Sequence, residues 1–448
     1  MKKITILLFA ICVISFSTKA QPLYQFEQLK PTAEFDGVKM TVGGDFALQL
    51  QSLSHHAADT LIKVGTGFNL PTANLSLTGF LAKGVKVYLN TYLSARHHNE
   101  SWVEGGYVQF DELPFLKFKF VDKVMKNLQI KVGMMEINYG DAHFRRTNNG
   151  AALKNYFVGN MIMEGYTTSP AMEFLFRKSG FIGLLGVSNG SLNTTLGQYQ
   201  PANTTPRTYK PINQLDELAV YGKLGYDKEF NDDFRLRGTV SYYYCAQNHT
   251  GSLYAGDRTG SRYYLVMNKA TYASGDYTIT ANPFGQDWNP GGTDKDNSMM
   301  INLFGKYKGF ELFGTYEQAT TTSPSDTKPS LAIPKAKSEI KFSQIAVEGL
   351  FHFGKEKQFF VGGRYNTVSD NSGGTDTYLN GSGGNVDLAK NKSVNRIQGI
   401  LGWYLTKNMV AKVEYVKQDY NNFLRYDVLK TKKAAGFDGI MFEAAISF

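Results

Sequence analysis

Between residues 138 and 154 the chain gathers most of the side chains that could act on a charged solute. The run Asn138-Tyr139-Gly140-Asp141-Ala142-His143-Phe144-Arg145-Arg146 is followed by Lys154. Two adjacent guanidiniums beside a histidine and a lysine attract anions, and charged groups gathered at a constriction set ion preference. Asp141 tempers that field, so neutral solutes are expected to be tolerated as well. These residues act on a solute only if their loop folds into a pore; on an outer surface the same charges are simply solvated. Other clusters carry less. His55-His56 and His97-His98 are adjacent pairs, and neighbours on a strand point to opposite faces, so neither makes a metal site. A barrel enzyme (a lipase or protease using histidine with an acid or serine) and a loop-presenting adhesin are the alternatives. Chance clustering in a loop-rich chain explains the histidines better. The expectation is therefore no enzyme, no catalytic residue, no metal and no cofactor. Ser372-Gly373-Gly374 and Gly381-Ser382-Gly383-Gly384 are not phosphate loops, because no strand-to-helix transition follows them.

The elements that must position such a loop are strands. From Met40-Val42-Gly44-Phe46-Leu48-Leu50 to Ile440-Phe442-Ala444-Ile446-Phe448, apolar residues recur at every second position, which puts one greasy and one wet face on each strand. About sixteen such runs follow one another. Tight turns such as Lys83-Gly84, Asp232-Asp233 and Lys308-Gly309 alternate with long polar loops. Tyr263 to Met267 and Tyr277 to Thr280 are candidates for two more strands, giving eighteen as the alternative count. Pro114 to Asn127 carries Val121, Val124 and Leu128 at helical spacing and predicts a short surface helix. The fold class is all-β: a transmembrane antiparallel β-barrel with short periplasmic turns and long external loops.

Met1-Lys2-Lys3, an apolar run from Ile4 to about Phe16 and Thr18-Lys19-Ala20 make residues 1–20 a signal peptide. Residues 21–448 form a single barrel domain. Three lysines leave with the signal, lowering the formal charge from +9 to +6, a mild excess that argues against nucleic acid for an exported chain. Cys245 is then the one remaining thiol, so no intramolecular disulfide forms.

A barrel of sixteen to eighteen strands is too wide for wall side chains to fill, and the lead from Gln21 to Gly37 is too short for a plug domain, so the lumen is expected to hold water. Lys131, Arg177, Lys223, Arg235, Arg237, Lys306, Glu311, Glu317, Glu348, Arg364, Arg396, Lys412 and Glu414 all fall opposite the apolar stripe and are expected to line it. Such charges cost roughly 2–4 kcal/mol facing lipid at the bilayer midplane. Passive diffusion of small hydrophilic solutes follows, with a weak anion preference from Arg145, Arg146 and Lys154.

Val132-Gly133 through Asn138-Tyr139-Gly140-Asp141, followed by Arg145-Arg146, resembles the strand-and-loop segment of Gram-negative outer-membrane porins related to the phosphate-selective O and P type, whose following loop narrows the pore. The resemblance implies a passive porin, often a homotrimer, in outer-membrane lipid. Phe448 likewise resembles the C-terminal signature read by the barrel-assembly machinery. Ile440 to Phe448 is expected to close the sheet on the first strand.

Overall fold

The computed structural model describes residues 26–27, 30, 35–57, 61–69, 71–94, 100–190, 197–199, 209–211, 218–246, 253–254, 262–268, 271–273, 276–278, 295–323, 338–371, 377–379, 385–387, 392–422 and 435–448. The expected signal peptide and His97-His98 lie outside them. Sixteen antiparallel strands form the wall: β1 (Lys39–His56), β2 (Thr72–Ala82), β3 (Val85–Ser94), β4 (Glu100–Phe110), β5 (Leu128–Glu136), β6 (Thr168–Lys178), β7 (Phe181–Ser188), β8 (Ala219–Asn231), β9 (Phe234–Cys245), β10 (Asp296–Tyr307), β11 (Phe310–Ser323), β12 (Ser338–Phe353), β13 (Phe359–Asp370), β14 (Ser393–Thr406), β15 (Met409–Asn421) and β16 (Ala435–Ser447). Each pairs with its sequence neighbours, and β1 pairs with β16 from Asp45 opposite Ser447 to His56 opposite Gly436. The ring is closed, so no strand edge is left unpaired. A two-residue strand, Gly67–Phe68, pairs with Leu50 and Gln51 outside the ring.

The alternative of eighteen strands is resolved in favour of sixteen. Tyr263 to Met267 forms turns inside the barrel. Tyr277 belongs to a small hairpin of Thr271–Ala273 with Asp276–Thr278, apart from the wall. Residues 83–84, 179–180, 232–233, 308–309, 354–358 and 407–408 make the tight turns of one rim, and residues 137–167 a long, fully described connection of the other. Ser179 and Gly180 both have positive φ, 52° and 90°, matching the primed turns that suit twisted hairpins. The helix α1 (Lys119–Met125) sits on the tight-turn rim. Its buried face is made by Met125 with half-buried Val121 one turn earlier, whereas Val124 faces solvent.

The period of two decides the faces. In β10, Met300, Asn302 and Phe304 point inward and are buried, while Leu303 and Tyr307 are exposed. Leu224, Leu312, Ile397 and Leu401 continue the exposed apolar band around the outside. Near the tight-turn rim the outer aromatics touch one another in sequence: Phe310 with Phe351 at 4.5 Å, Phe353 with Phe359 at 5.6 Å and Phe359 with Trp403 at 5.9 Å between ring centroids. Aromatic girdles of this kind flank the lipid-facing band of membrane barrels.

The terminal residue completes the seam. Phe448 donates its amide to the Gly44 carbonyl at 2.9 Å, accepts the Gly44 amide at 3.0 Å, and stacks on Phe46. Gly439 lies on the same seam with φ at 147°, where a Cβ would fall 2.3 Å from the Ser52 carbonyl oxygen and 2.9 Å from Leu53 Cα. A Gly439→Ala substitution is therefore expected to destabilise the barrel by roughly 1–3 kcal/mol, read as a lower urea midpoint. Gly314→Ala, at a position with nothing within 4 Å, serves as the neutral comparison.

Candidate functional site: the lumen and its infolded segments

Lys223, Arg237, Glu311, Glu317, Glu348, Arg364, Arg396, Lys412 and Glu414 are buried, and Lys131, Arg177, Arg235 and Lys306 are half-buried. They are not simply solvated, however. Much of the described lumen is filled by three segments of the chain itself.

The largest is the connection 137–167, which folds inward and buries Ile137, Tyr139, Tyr156, Phe157, Val158, Ile162 and Met163. A loop in an interior must find partners for its backbone, and the polar wall supplies them. Val158 donates its amide to Glu414 at 2.8 Å and Ile162 to Asn366 at 2.7 Å. Arg364 donates to the Gly159 carbonyl at 2.7 Å, Arg396 to Asn160 at 2.6 Å, and Lys412 to Ala152 and Asn155 at 2.7 and 2.6 Å. The second segment comes from the connection between β9 and β10: Tyr254 donates to Glu317, Tyr263 to Glu414, and Arg262 to Glu443 and the Asn149 carbonyl. The third is the lead before β1, where Phe26 and Glu27 enter from the tight-turn rim.

The loop residues singled out by sequence fall on this infolded connection. Arg145 is paired with Glu348 at 2.9 Å, with both side chains 1% exposed, and lies over the Phe313 ring. Glu348 also accepts from Arg364. Arg146 pairs with Glu164 at 2.8 Å and stacks over Tyr166 at 3.7 Å. Both guanidiniums are thus paired with carboxylates, Arg146 with its own and Arg145 with one it shares with Arg364, which weakens the free positive field expected of them. His143 is held between Glu136 and Asn138, while Lys154 is exposed.

Asp141 anchors the start of the loop. Arg237 donates to it twice at 2.8 Å, Lys223 at 2.9 Å and Thr239 at 2.8 Å. Burial opposes its ionisation most strongly, but the charges of Lys223 and Arg237 outweigh that and hold its carboxyl well below the usual range. Glu27 shares the same two cations, Lys223 at 3.2 Å and Arg237 at 2.8 Å. They bring its carboxyl down to about 2 against the opposing effect of burial. Arg235 pairs with Asp227 at 2.6 Å.

Water access is lopsided. Most inner-face residues of the β8 to β16 side are covered by the infolded segments, with Arg235 and Lys306 half-buried near the tight-turn rim. On the β1 to β5 side, Asp45, Tyr88, Glu104, Tyr107, Lys131 and Glu136 stay partly open, with Lys131 24% and Glu136 31% exposed at the side chain. Tyr88 lies 5.3 Å from Tyr107, and the Lys131 ammonium lies over the Tyr107 ring, so these residues form one continuous surface. Tyr166 donates to Glu104 at 2.6 Å, setting the inner loop against this wall. By contrast, the space enclosed by Arg145, Arg146, Glu164, Glu317, Gln344 and Arg364 amounts to about 20 Å3, room for about one water. Sequence reading missed Phe26, Glu27, Arg262 and the open tyrosines; only the inward parity of Tyr88 and Tyr107 carried a signal for any of them.

No family model matches the sequence, and no curated protein does. Solved structures of similar shape exist. The outer-membrane channel DcaP of Acinetobacter baumannii aligns over 94% of this chain and 100% of its own, with 11% identity and a TM-score of 0.48. The anion-selective porin from Comamonas acidovorans aligns over 92% and 100%, with 10% identity and a TM-score of 0.48. Salmonella typhi OmpF, solved in complex with daunomycin, aligns over 92% and 98%, with 14% identity and a TM-score of 0.47. These likenesses are loose, and nothing about solutes or assembly passes from them to this chain.

Proposed function

We propose that the chain is a porin-like channel of the Gram-negative outer membrane, exported by residues 1–20, assembled with Phe448 as the signal, and embedded in lipid through its apolar band. Small hydrophilic solutes pass by diffusion along a narrow passage between the inner loop 137–167 and the β1 to β5 wall. A homotrimer is the assembly implied by the sequence resemblance. A partly open patch carries this reading: Tyr88, Glu104, Tyr107, Lys131 and Glu136 on β3 to β5 remain partly open, while most inner residues of β8 to β16 are packed. Charges on the open side are Asp45, Glu104 and Glu136 against Lys131, with exposed Lys154 beside them. That balance favours cations slightly, in place of the weak anion preference expected from Arg145 and Arg146.

Planar-bilayer recording tests the proposal. Pure protein is expected to give ohmic steps with a permeability ratio at or slightly above unity in favour of cations; absence of steps would sink the channel reading. Arg146→Ala removes the partner of Glu164, which is 12% exposed at the side chain, and is expected to raise cation preference roughly twofold or more. Arg145→Ala is expected to shift the reversal potential less, because Glu348 keeps Arg364.

A further inference from the structure

We propose that the basic cluster around Lys223 and Arg237 is a binding site for small aromatic monocarboxylates, occupied here by Phe26 and Glu27 as a tethered internal ligand. The Phe26 ring stands edge-on to Phe144 and Phe304 at 5.9 and 5.4 Å. The Arg237 guanidinium lies 4.2 Å from its centroid and that of Arg235 5.2 Å. The same Arg237 donates to the Glu27 carboxylate at 2.8 and 3.0 Å, and Lys223 donates to it at 3.2 Å. Ring and carboxylate therefore sit on one guanidinium, a spacing that a single small aromatic acid spans.

Charge points the same way. Lys223, Arg235 and Arg237 face Asp141, Asp227 and Glu27. Taking Glu27 away leaves one positive charge in excess within a buried site, and a buried excess charge demands a counter-ion. The occupying residues belong to no strand. They are held by aromatic, polar and cation–π contacts, and an aromatic acid reproduces the ring and carboxylate contacts, leaving out the bond from Arg177 to the Glu27 carbonyl at 2.9 Å. A tethered occupant competes at an effective concentration set by its short leash, in the millimolar range.

The test measures binding separately from conduction. Phenylpropionate is titrated calorimetrically into detergent-solubilised parent and a Phe26→Ala/Glu27→Ala variant. The variant is expected to bind it roughly tenfold or more tightly than the parent, with propionate weaker and phenylpropionamide not bound. Adding Arg237→Lys to the variant is expected to abolish the gain. Glu27→Gln, which keeps shape and removes charge, is read the same way if the double variant gives no folded barrel. Equal affinity in parent and variant, or equal binding of acid and amide, would overturn the proposal. Bilayer recordings of the same preparations report on the channel alone, so binding without current counts only against the channel.

Discussion

An Asp141→Ala variant is expected to conduct several-fold more current per step than the parent, with loop 137–167 newly open to protease. Asp141 is the hinge-side anchor of that loop, accepting from Arg237, Lys223 and Thr239, and its own amide donates to Asn302 at 2.7 Å. Without the carboxylate, two buried cations keep only Glu27 and Asp227 as counter-charges. Breaking a buried pair by removing one partner costs about 3–5 kcal/mol, and here the cost falls on the docked loop. The wall is spared because its strands are joined by a closed backbone ladder. Asp141→Asn, which keeps an acceptor, is expected to show a smaller rise. Unchanged conductance together with unchanged protease resistance would show that the loop does not depend on this anchor.

Glu443→Ala is expected to give the other large effect, on stability rather than current. Glu443 sits on β16 at the seam and accepts from Gln49 at 2.8 Å, Lys412 at 2.8 Å and Arg262 at 3.2 Å. One carboxylate thus joins the first strand, the last two strands and the infolded residue Arg262. Alanine removes the carboxylate that the buried Lys412 and Arg262 share, a loss of about 3–5 kcal/mol. The urea midpoint of the folded barrel should fall clearly, with Glu443→Gln recovering part of it. A midpoint equal to the parent's would mean that water replaces the carboxylate at little cost.

The wall was legible from the chain because its signal is local. A period of two assigns Arg364 inward and Leu401 outward without knowledge of any neighbour, and turns such as Lys308-Gly309 punctuate the strands. The filling of the lumen was not legible, because its partners lie far apart in sequence. Arg145 announces a positive charge, but Glu348, which pairs with it, is 203 residues away. Val158 reads as an ordinary apolar residue, and its amide finds Glu414 across 256 residues. Phe26 and Glu27 read as part of a polar entry; only the three-dimensional meeting of Lys223 and Arg237 gives them a place. Loop inversion into a barrel is thus a property of pairs, whereas facing is a property of single positions.

The most direct test uses a Cys245→Ser background, since Cys245 is the one cysteine beyond the expected signal peptide. Single cysteines are placed at Lys131, on the partly open wall, and at Gln398, on the packed side, and a charged thiol reagent is added during bilayer recording. Current through the Lys131→Cys channel is expected to fall stepwise as the reagent reacts, while Gln398→Cys is expected to conduct unchanged. Block at Gln398→Cys with none at Lys131→Cys would contradict a passage along the β1 to β5 wall.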